Sequence, residues 1–166
     1  MNVIRKATTN DLTGILSVID EAKARIRITG SPQWQNGYPN EQIFLNDISQ
    51  EALFVYEIED AIVGVMAIYP YEKTYDVIEG NWLNEDDYIV IHRIAVSSHF
   101  VGKGITKKMF DYAFDYFKSS NMRIDTHELN QAMINYLIKD GFVLCGKIYL
   151  EQAIDKERLA FHKCTK

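Results

Sequence analysis

A glycine-bearing loop between an apolar run and an amphipathic segment is the first place where residue types and spacing suggest chemistry. The run Tyr88–Val96 is almost unbroken apolar sequence, typical of a central strand covered on both faces. Gly102 and Gly104 follow, and from Ile105 onward apolar residues recur at helical spacing. The first amide groups of a helix have no internal partner, so this order predicts an anion site. The alternative is a plain glycine turn before a core helix.

The glycine spacing excludes two common phosphate loops. A dinucleotide-binding turn needs GxGxxG, and only Gly102 and Gly104 are present here. A P-loop needs GxxxxGK(S/T), which the sequence lacks.

Alternating strand and helix patterns surround this loop. A strand that follows a crossover helix is expected to lie parallel to the strand before it, so we expect the fourth and fifth strands to be parallel. The predicted strands are Asn2–Lys6, Ala52–Ile58, Ala61–Tyr69, Tyr88–Val96, Asn121–Leu129, Phe142–Leu150 and about Arg158–Lys163, the last two joined around Gln152–Lys156. The predicted helices begin after Thr8–Asn10, near Asn40, at Ile105 and after Asn130; the last buries Met133, Ile134, Leu137 and Ile138 and ends at Gly141.

Composition sets bounds on the class of protein. The 166 residues are 47% hydrophobic and 25% charged, which predicts one globular domain over residues 1–166. The net charge of −5 argues against a nucleic-acid partner. Cys145 and Cys164 are expected to be free thiols. The sequence has no signal-peptide pattern and no apolar run of membrane-spanning length, so we expect a cytoplasmic protein without a membrane partner.

The loop VGKGIT resembles the acetyl-CoA pyrophosphate loop of the GNAT superfamily of N-acetyltransferases, written (Q/R)xxGx(G/A). Gly104 matches the central glycine, while Val101 stands where Gln or Arg is usual and Thr106 where Gly or Ala is usual. Lys103 and Lys107 are candidates to replace the missing polar side chain, and the Thr106 hydroxyl is a candidate phosphate ligand.

A second segment, NQAMINYLIKDGF, resembles the family's N-x-x-A, aliphatic–Tyr and Gly-Phe pattern. Asn130 matches the asparagine that in the family lies beside the pantetheine arm, and Met133 replaces the alanine. Leu137 falls where many members have the tyrosine that protonates the leaving thiolate. Tyr136 is one residue away and points about 100° aside on a helix. Both motifs and the element order imply the GNAT fold, an α/β architecture with a mixed, mostly antiparallel sheet, one parallel pair and about four helices.

The resemblance implies acetyl transfer from acetyl-CoA to a primary amine of a small molecule or peptide, without a metal. In the family, main-chain groups at the end of the central strand hold the pantetheine arm, and the glycine loop binds the pyrophosphate. The implied cofactor-binding residues are Ile94, Ala95, Val96, Val101, Gly102, Lys103, Gly104, Ile105, Thr106 and Asn130. The alternative is a non-catalytic acyl-CoA-binding or regulatory domain, which Leu137 and the two loop departures keep open. A homodimer is compatible with the resemblance.

Three side chains are candidates for the base that takes a proton from the ammonium. His92 lies two residues before Ile94, where several family members carry a catalytic Glu, and imidazole titrates near neutral pH. Glu128 follows the fifth strand, at the end where open parallel sheets bind ligands. We favour His127 less, because it points to the opposite face. A core histidine and a solvent-facing or capping Glu are the structural alternatives for His92 and Glu128.

Aromatic and charged residues elsewhere complete the sequence-based predictions. Trp34 and Tyr38 lie between the first two helices, where GNAT enzymes commonly shape the acceptor pocket; the alternative is that both fill the edge of the core. The insertion Pro70–Asp87 carries an acidic run that is either a solvated loop or an attractor for a cationic amine. Arg93 and Asp125 interrupt apolar runs on adjacent strands, and we expect them to form an ion pair.

Overall fold

The structure, a computed structural model, describes residues 2–151 and 155–165. Within those ranges the strands are β1 Asn2–Lys6, β2 Leu53–Ile58, β3 Ala61–Tyr69, β4 Glu79–Gly80, β5 Ile89–Val96, β6 Asn121–Thr126, β7 Val143–Tyr149 and β8 Glu157–Cys164. The helices are α1 Leu12–Ile28, α2 Glu41–Ser49, α3 Ile105–Phe117 and α4 Gln131–Lys139.

All the described strands belong to one sheet, in the order β1-β2-β3-β5-β6-β8-β7-β4. Neighbouring strands are antiparallel except β5 and β6, which are parallel. The predicted mixed, mostly antiparallel α/β sheet with four helices is therefore confirmed. The parallel strands are fifth and sixth rather than fourth and fifth, because the two-residue β4 in the insertion is too short to show a strand pattern in the sequence.

The parallel pair is short, and it opens into a split. Only Ile89 and Val90 of β5 register with β6, opposite Met122 and Arg123. On its other side β5 stays paired with β3 as far as Val96. Among the described strands, none covers the main-chain edge of the later half of β5 on this side.

Side chains on the two faces of the sheet form separate packing clusters. Under α3 and α4, residues such as Phe54, Met109 and Phe161 have no exposed surface. The other face is covered by α1 and α2 over β2 and β3, with Ile15 and Phe44 fully buried. Each such side chain contributes about 1.5–3 kcal/mol by leaving water. Packing on both faces fixes the position of β5.

Side-chain caps explain where the helices begin. Asn40 accepts a hydrogen bond from the Ile43 amide at 3.1 Å, and Asn130 accepts one from the Met133 amide at 3.3 Å. Gly141, at φ +97°, ends α4 as predicted. Ile138, however, is 57% exposed rather than buried, because it lies on the solvent side of the last turn of α4.

Residues 70–88, called the 70–88 segment below, contain the predicted insertion Pro70–Asp87 and pack on the sheet. Tyr75 and Trp82 are buried against Val90. The imidazole of His162 accepts a hydrogen bond from the Leu83 amide at 3.2 Å. This insertion therefore packs on β5, β7 and β8, rather than forming a solvated loop throughout. The predicted turn of the last hairpin includes residues 152–154, which lie outside the described residues.

Arg123 is a buried cation under this segment. Its guanidinium lies between the rings of Trp82 and Tyr88, 4.2 and 4.0 Å from their centroids, and donates to the Asn84 carbonyl at 2.9 Å. Burial and this neighbouring cation lower the pKa of His162 to about 4, so the imidazole is neutral at pH 7.

Candidate active site

A histidine and a glutamate from different elements meet where β5 and β6 begin to separate. His92 lies on β5, and its Nε2 is 2.9 Å from Oε1 of Glu72, which comes from the 70–88 segment. The two side chains are 21% and 25% exposed. The hydrogen bond from His92 is the largest of the effects that lower the pKa of Glu72 to about 2. A carboxylate and an imidazole thus form a partly exposed pair suited to proton transfer.

Glu72 is held by further hydrogen bonds. Its Oε2 accepts from the Thr74 amide at 3.1 Å and from the Thr74 hydroxyl at 2.9 Å. Its own amide donates to the Tyr88 hydroxyl at 3.3 Å. The carboxylate is therefore fixed in position before it meets His92.

A β-bulge places Arg93 on the same face as His92. The register between β3 and β5 shifts at this point, and Arg93 has φ +53°, a left-handed conformation that is uncommon for a residue with a side chain. His92 contacts the ring of Tyr69, and Arg93 turns to α2, where it forms a bidentate pair with Asp47 at 2.6 and 2.7 Å. In a regular strand these neighbours would face opposite sides of the sheet.

The predicted ion pair between Arg93 and Asp125 is wrong. Arg93 pairs with Asp47, which is 2% exposed and also accepts from the Tyr69 hydroxyl. Asp125 accepts instead from the Tyr75 hydroxyl at 2.6 Å. The bulge is the physical reason, because it directs the guanidinium to α2 instead of to β6. Burial raises the pKa of Asp125, which also senses the charge of His92.

The glycine loop has the geometry of an open anion site. Gly102 and Gly104 both have φ +80°, and a Cβ at either position would have no atom within 4 Å. Gly104 is the residue before α3, and the first turn of this helix contains no acidic residue. The free amides and the positive end of the helix dipole therefore face unfilled space.

The two lysines that were candidates to replace the usual Gln or Arg have different surroundings. Lys107 pairs with Asp111 at 3.1 Å and with Asp140 at 3.7 Å, so its charge is already neutralised. Lys103 is exposed, with its ammonium 5.6 Å from the ring of Phe100. Of the two candidates to replace the usual Gln or Arg, only Lys103 keeps a charge without a carboxylate among the described residues.

Main-chain groups of β5 face the split. The Ser97 amide donates to the Val63 carbonyl at 2.8 Å, and Val96 lies opposite Gly64. Since hydrogen-bonded and open pairs alternate in an antiparallel ladder, the amide and carbonyl of Val96 point away from β3. Arg25 of α1 donates to that carbonyl at 2.7 Å. The main chain of Ala95, by the same alternation, points to β3, and Ile94 lies within the bulge, so Val96 is the best placed of the three predicted strand residues.

The two predicted pocket aromatics have different roles. Trp34 is partly buried and packs against the cluster under α1 and α2, as in the alternative that it fills the edge of the core. The Arg93 guanidinium donates to the Tyr38 hydroxyl at 2.6 Å, which connects the segment between α1 and α2 to β5. Tyr38 therefore contacts the residue that follows His92 on β5.

The remaining predicted residues lie outside the His92 cluster. Glu128 is exposed in the turn after β6, and its charge acts on Lys147. His127 is 5% exposed and pairs with Asp155 at 3.2 Å, which indicates a structural role. Asn130 caps α4. Leu137 is fully buried, and Tyr136 packs against Phe110 of α3, as its helical offset predicts.

Glu72, Asp125 and Asp47 are functional candidates that the sequence patterns did not select for this site. Glu72 was one acid among several in the 70–88 segment, and Asp125 was assigned to the wrong partner. A signal for Glu72 exists in its spacing to Thr74, because an acid two residues before a hydroxyl caps a short turn. No comparable local signal marks Asp47, which lies 46 residues from its partner.

Among the described residues, no group of three or more His, Cys, Asp or Glu side chains is arranged to hold a metal ion. No helix in the same part of the chain is long and apolar enough to cross a membrane.

Comparisons with known proteins agree with this fold. A sequence model of the Acetyltransferase (GNAT) family matches residues 19–142. A GNAT-family acetyltransferase from Streptococcus agalactiae 2603 is 35% identical, covers 99% of this chain and 96% of its own, and superposes with a TM-score of 0.90. An uncharacterised N-acetyltransferase of Bacillus subtilis, YesJ, is 21% identical over 84% of this chain and 81% of its own. The PaiA N-acetyltransferase of Thermoplasma acidophilum, solved with coenzyme A, shares the fold at 15% identity and a TM-score of 0.70, covering 99% of both chains.

Proposed function

This chain belongs to the Acetyltransferase (GNAT) family, and on that premise we propose that it transfers the acetyl group of acetyl-CoA to a primary amine of a small molecule or peptide. The observation that supports this most is the course of the split between β5 and β6. His92 lies at its beginning, and β5 leads from there to the free amide end of α3. An acyl-CoA can therefore lie with its thioester at the split and its phosphates at the helix.

The split and the glycine loop supply the groups that an acyl-CoA needs. The main chain of Ile94 and Val96 can bind the pantetheine arm as a further strand would, because β6 does not cover that edge. The amides of Gly102, Gly104 and Ile105 and the dipole of α3 can bind the pyrophosphate. A main-chain amide of β5 can also donate to the thioester oxygen, where negative charge develops. The bound acetyl-CoA supplies the activated acyl group.

His92 acts as the base in this proposal. A primary amine reaches the site as an ammonium, which has no lone pair, and the imidazole removes a proton before attack. The carboxylate of Glu72 lies 2.9 Å from Nε2 of the imidazole, and its charge offsets the positive charge that the ring gains. The proton therefore leaves the amine next to a negative charge.

Departure of the thiolate takes place without a tyrosine at the usual position. Leu137 is buried there, and Tyr136 faces α3. A thiolate is a good leaving group, so it can depart without a general acid, and solvent protonates it afterwards. We further propose that the enzyme acts without a nucleic-acid partner, in keeping with its net charge of −5.

Free-thiol release from acetyl-CoA across an amine panel tests the proposal. The panel contains polyamines, aminoglycosides, amino acids and peptide N-termini, since the fold does not fix the acceptor. We expect turnover with at least one class, and loss of turnover in His92→Ala. Calorimetric CoA binding without any turnover would contradict the proposed activity and favour a regulatory acyl-CoA-binding domain.

A further inference from the structure

The pairing of His92 with Glu72 has a consequence for which ring nitrogen can accept a proton. Nε2 of His92 is 2.9 Å from a carboxylate oxygen that can only accept a hydrogen bond. In the neutral imidazole one nitrogen carries the hydrogen and the other carries the lone pair. Among residues 2–151 and 155–165, no protein group hydrogen-bonds Nδ1. The hydrogen therefore sits on Nε2 and the lone pair on Nδ1.

We propose that Glu72 is a positioning residue for the acyl transfer, which fixes the tautomer and orientation of His92 so that Nδ1 takes the proton of the acceptor amine. This rests on the proposed function, because it requires His92 to be the base. In the transfer, an N–H bond of the ammonium breaks, an N–H bond forms at Nδ1, and the amine nitrogen keeps the electron pair with which it attacks. The carboxylate keeps its negative charge and stabilises the imidazolium, as the aspartate does in a Ser-His-Asp triad.

Three features of Glu72 suit it to this role. The hydrogen bond from His92 lowers the pKa of this carboxyl to about 2, so it is charged across the neutral range. Its second oxygen is held by Thr74, which leaves the first free for Nε2. Its position depends on the 70–88 segment, which Trp82 anchors by donating from Nε1 to the Tyr75 carbonyl at 3.0 Å.

The charges around His92 come from several elements. Glu72 faces it from the 70–88 segment, Asp125 acts on it from β6, and the ring of Tyr69 contacts it from β3. Arg93, its neighbour on β5, is already neutralised by a carboxylate of α2. Among the described residues, Glu72 is the group that contacts a ring nitrogen of His92, at 2.9 Å. Replacing Glu72 therefore acts directly on the tautomer and orientation of the imidazole.

The test compares Glu72→Gln with Asp155→Asn. Asp155 forms the chain's other carboxylate–imidazole pair among the described residues, with His127, away from the site. For Glu72→Gln we expect kcat to fall about 10²-fold, with the KM for acetyl-CoA unchanged. Asp155→Asn should leave kcat and the KM for acetyl-CoA unchanged.

A second measurement does not depend on activity. With ¹⁵N-labelled imidazole, NMR should show the hydrogen of His92 on Nε2 in the wild type and a mixture of tautomers in Glu72→Gln. An unchanged tautomer, or a Glu72→Gln enzyme with full kcat, would overturn the assignment.

His92→Ala separates this proposal from the function it rests on. If His92→Ala loses kcat while Glu72→Gln retains it, the base is correct and the role of Glu72 is refuted. If His92→Ala retains full kcat, the base itself is wrong, and the positioning role fails with it.

Discussion

Replacing Gly104 by valine should separate ligand binding from backbone strain. Gly104 has φ +80°, where a residue with a side chain costs roughly 1–2 kcal/mol. A Cβ there would have no atom within 4 Å beyond its chain neighbours, so backbone strain is the main cost to the free protein. In the proposed function, the pyrophosphate of the acyl-CoA occupies the space that the side chain would fill. We therefore expect CoA binding to weaken at least about tenfold, or about 1.4 kcal/mol.

Gly30 provides a matched control for this experiment. It has φ +82°, also has no atom within 4 Å of a built Cβ, and follows the far end of α1. Gly30→Val should lose the same roughly 1–2 kcal/mol in urea unfolding while binding CoA normally by calorimetry. Equal CoA affinity in the wild type and Gly104→Val would show that the loop does not hold the pyrophosphate. Weakened CoA binding in both variants would attribute the loss to strain.

Three further predictions concern the base, the buried pair and pH. His92→Ala should lower kcat by about 10²–10⁴-fold with calorimetric CoA affinity nearly unchanged, and should remove the acidic limb of the pH–rate profile; a variant with full kcat and its limb intact would make His92 a packing residue. Asp47→Asn should cost about 3–5 kcal/mol in urea unfolding, because it leaves Arg93 buried without its carboxylate; a loss below 1 kcal/mol would refute this. Burial and Arg123 lower the pKa of His162 to about 4, below its ordinary value. The stability that this neutral imidazole contributes is therefore complete above about pH 6.5 and is lost as pH falls to about 4. The loss in the free energy of unfolding is about 3 kcal/mol, and unfolding of His162→Gln should lack this part of the pH dependence.

Helix starts and strand patterns were predictable because their signals are local. Asn40 and Asn130 accept hydrogen bonds from amides three residues ahead, and such caps are visible in a short window of sequence. The tight glycine turn before α3 was predictable for the same reason, and both of its glycines adopt a positive φ.

Partnerships across the sheet were not predictable. Glu72 and His92 are 20 positions apart and meet only because the 70–88 segment folds back on β5. The pairing of Arg93 with Asp47 depends on a bulge, which adds one residue to a strand and reverses which face the next side chain takes. Periodicity assumes a regular strand, so it misassigned Arg93 at the irregular position.

The pairing of β5 with β6 at only two positions also affects how fast main-chain amide protons exchange with solvent. Main-chain hydrogen bonds join the two halves of the sheet only at Ile89 and Val90 among the described strands, so the halves are united chiefly by the side chains packed under α3 and α4. Amides that face the split, such as that of Val96, have no partner strand to shield them from exchange with deuterium. A pantetheine arm lying along this edge would act as a removable strand, and the protection of those amides would rise and fall with the occupancy of the split.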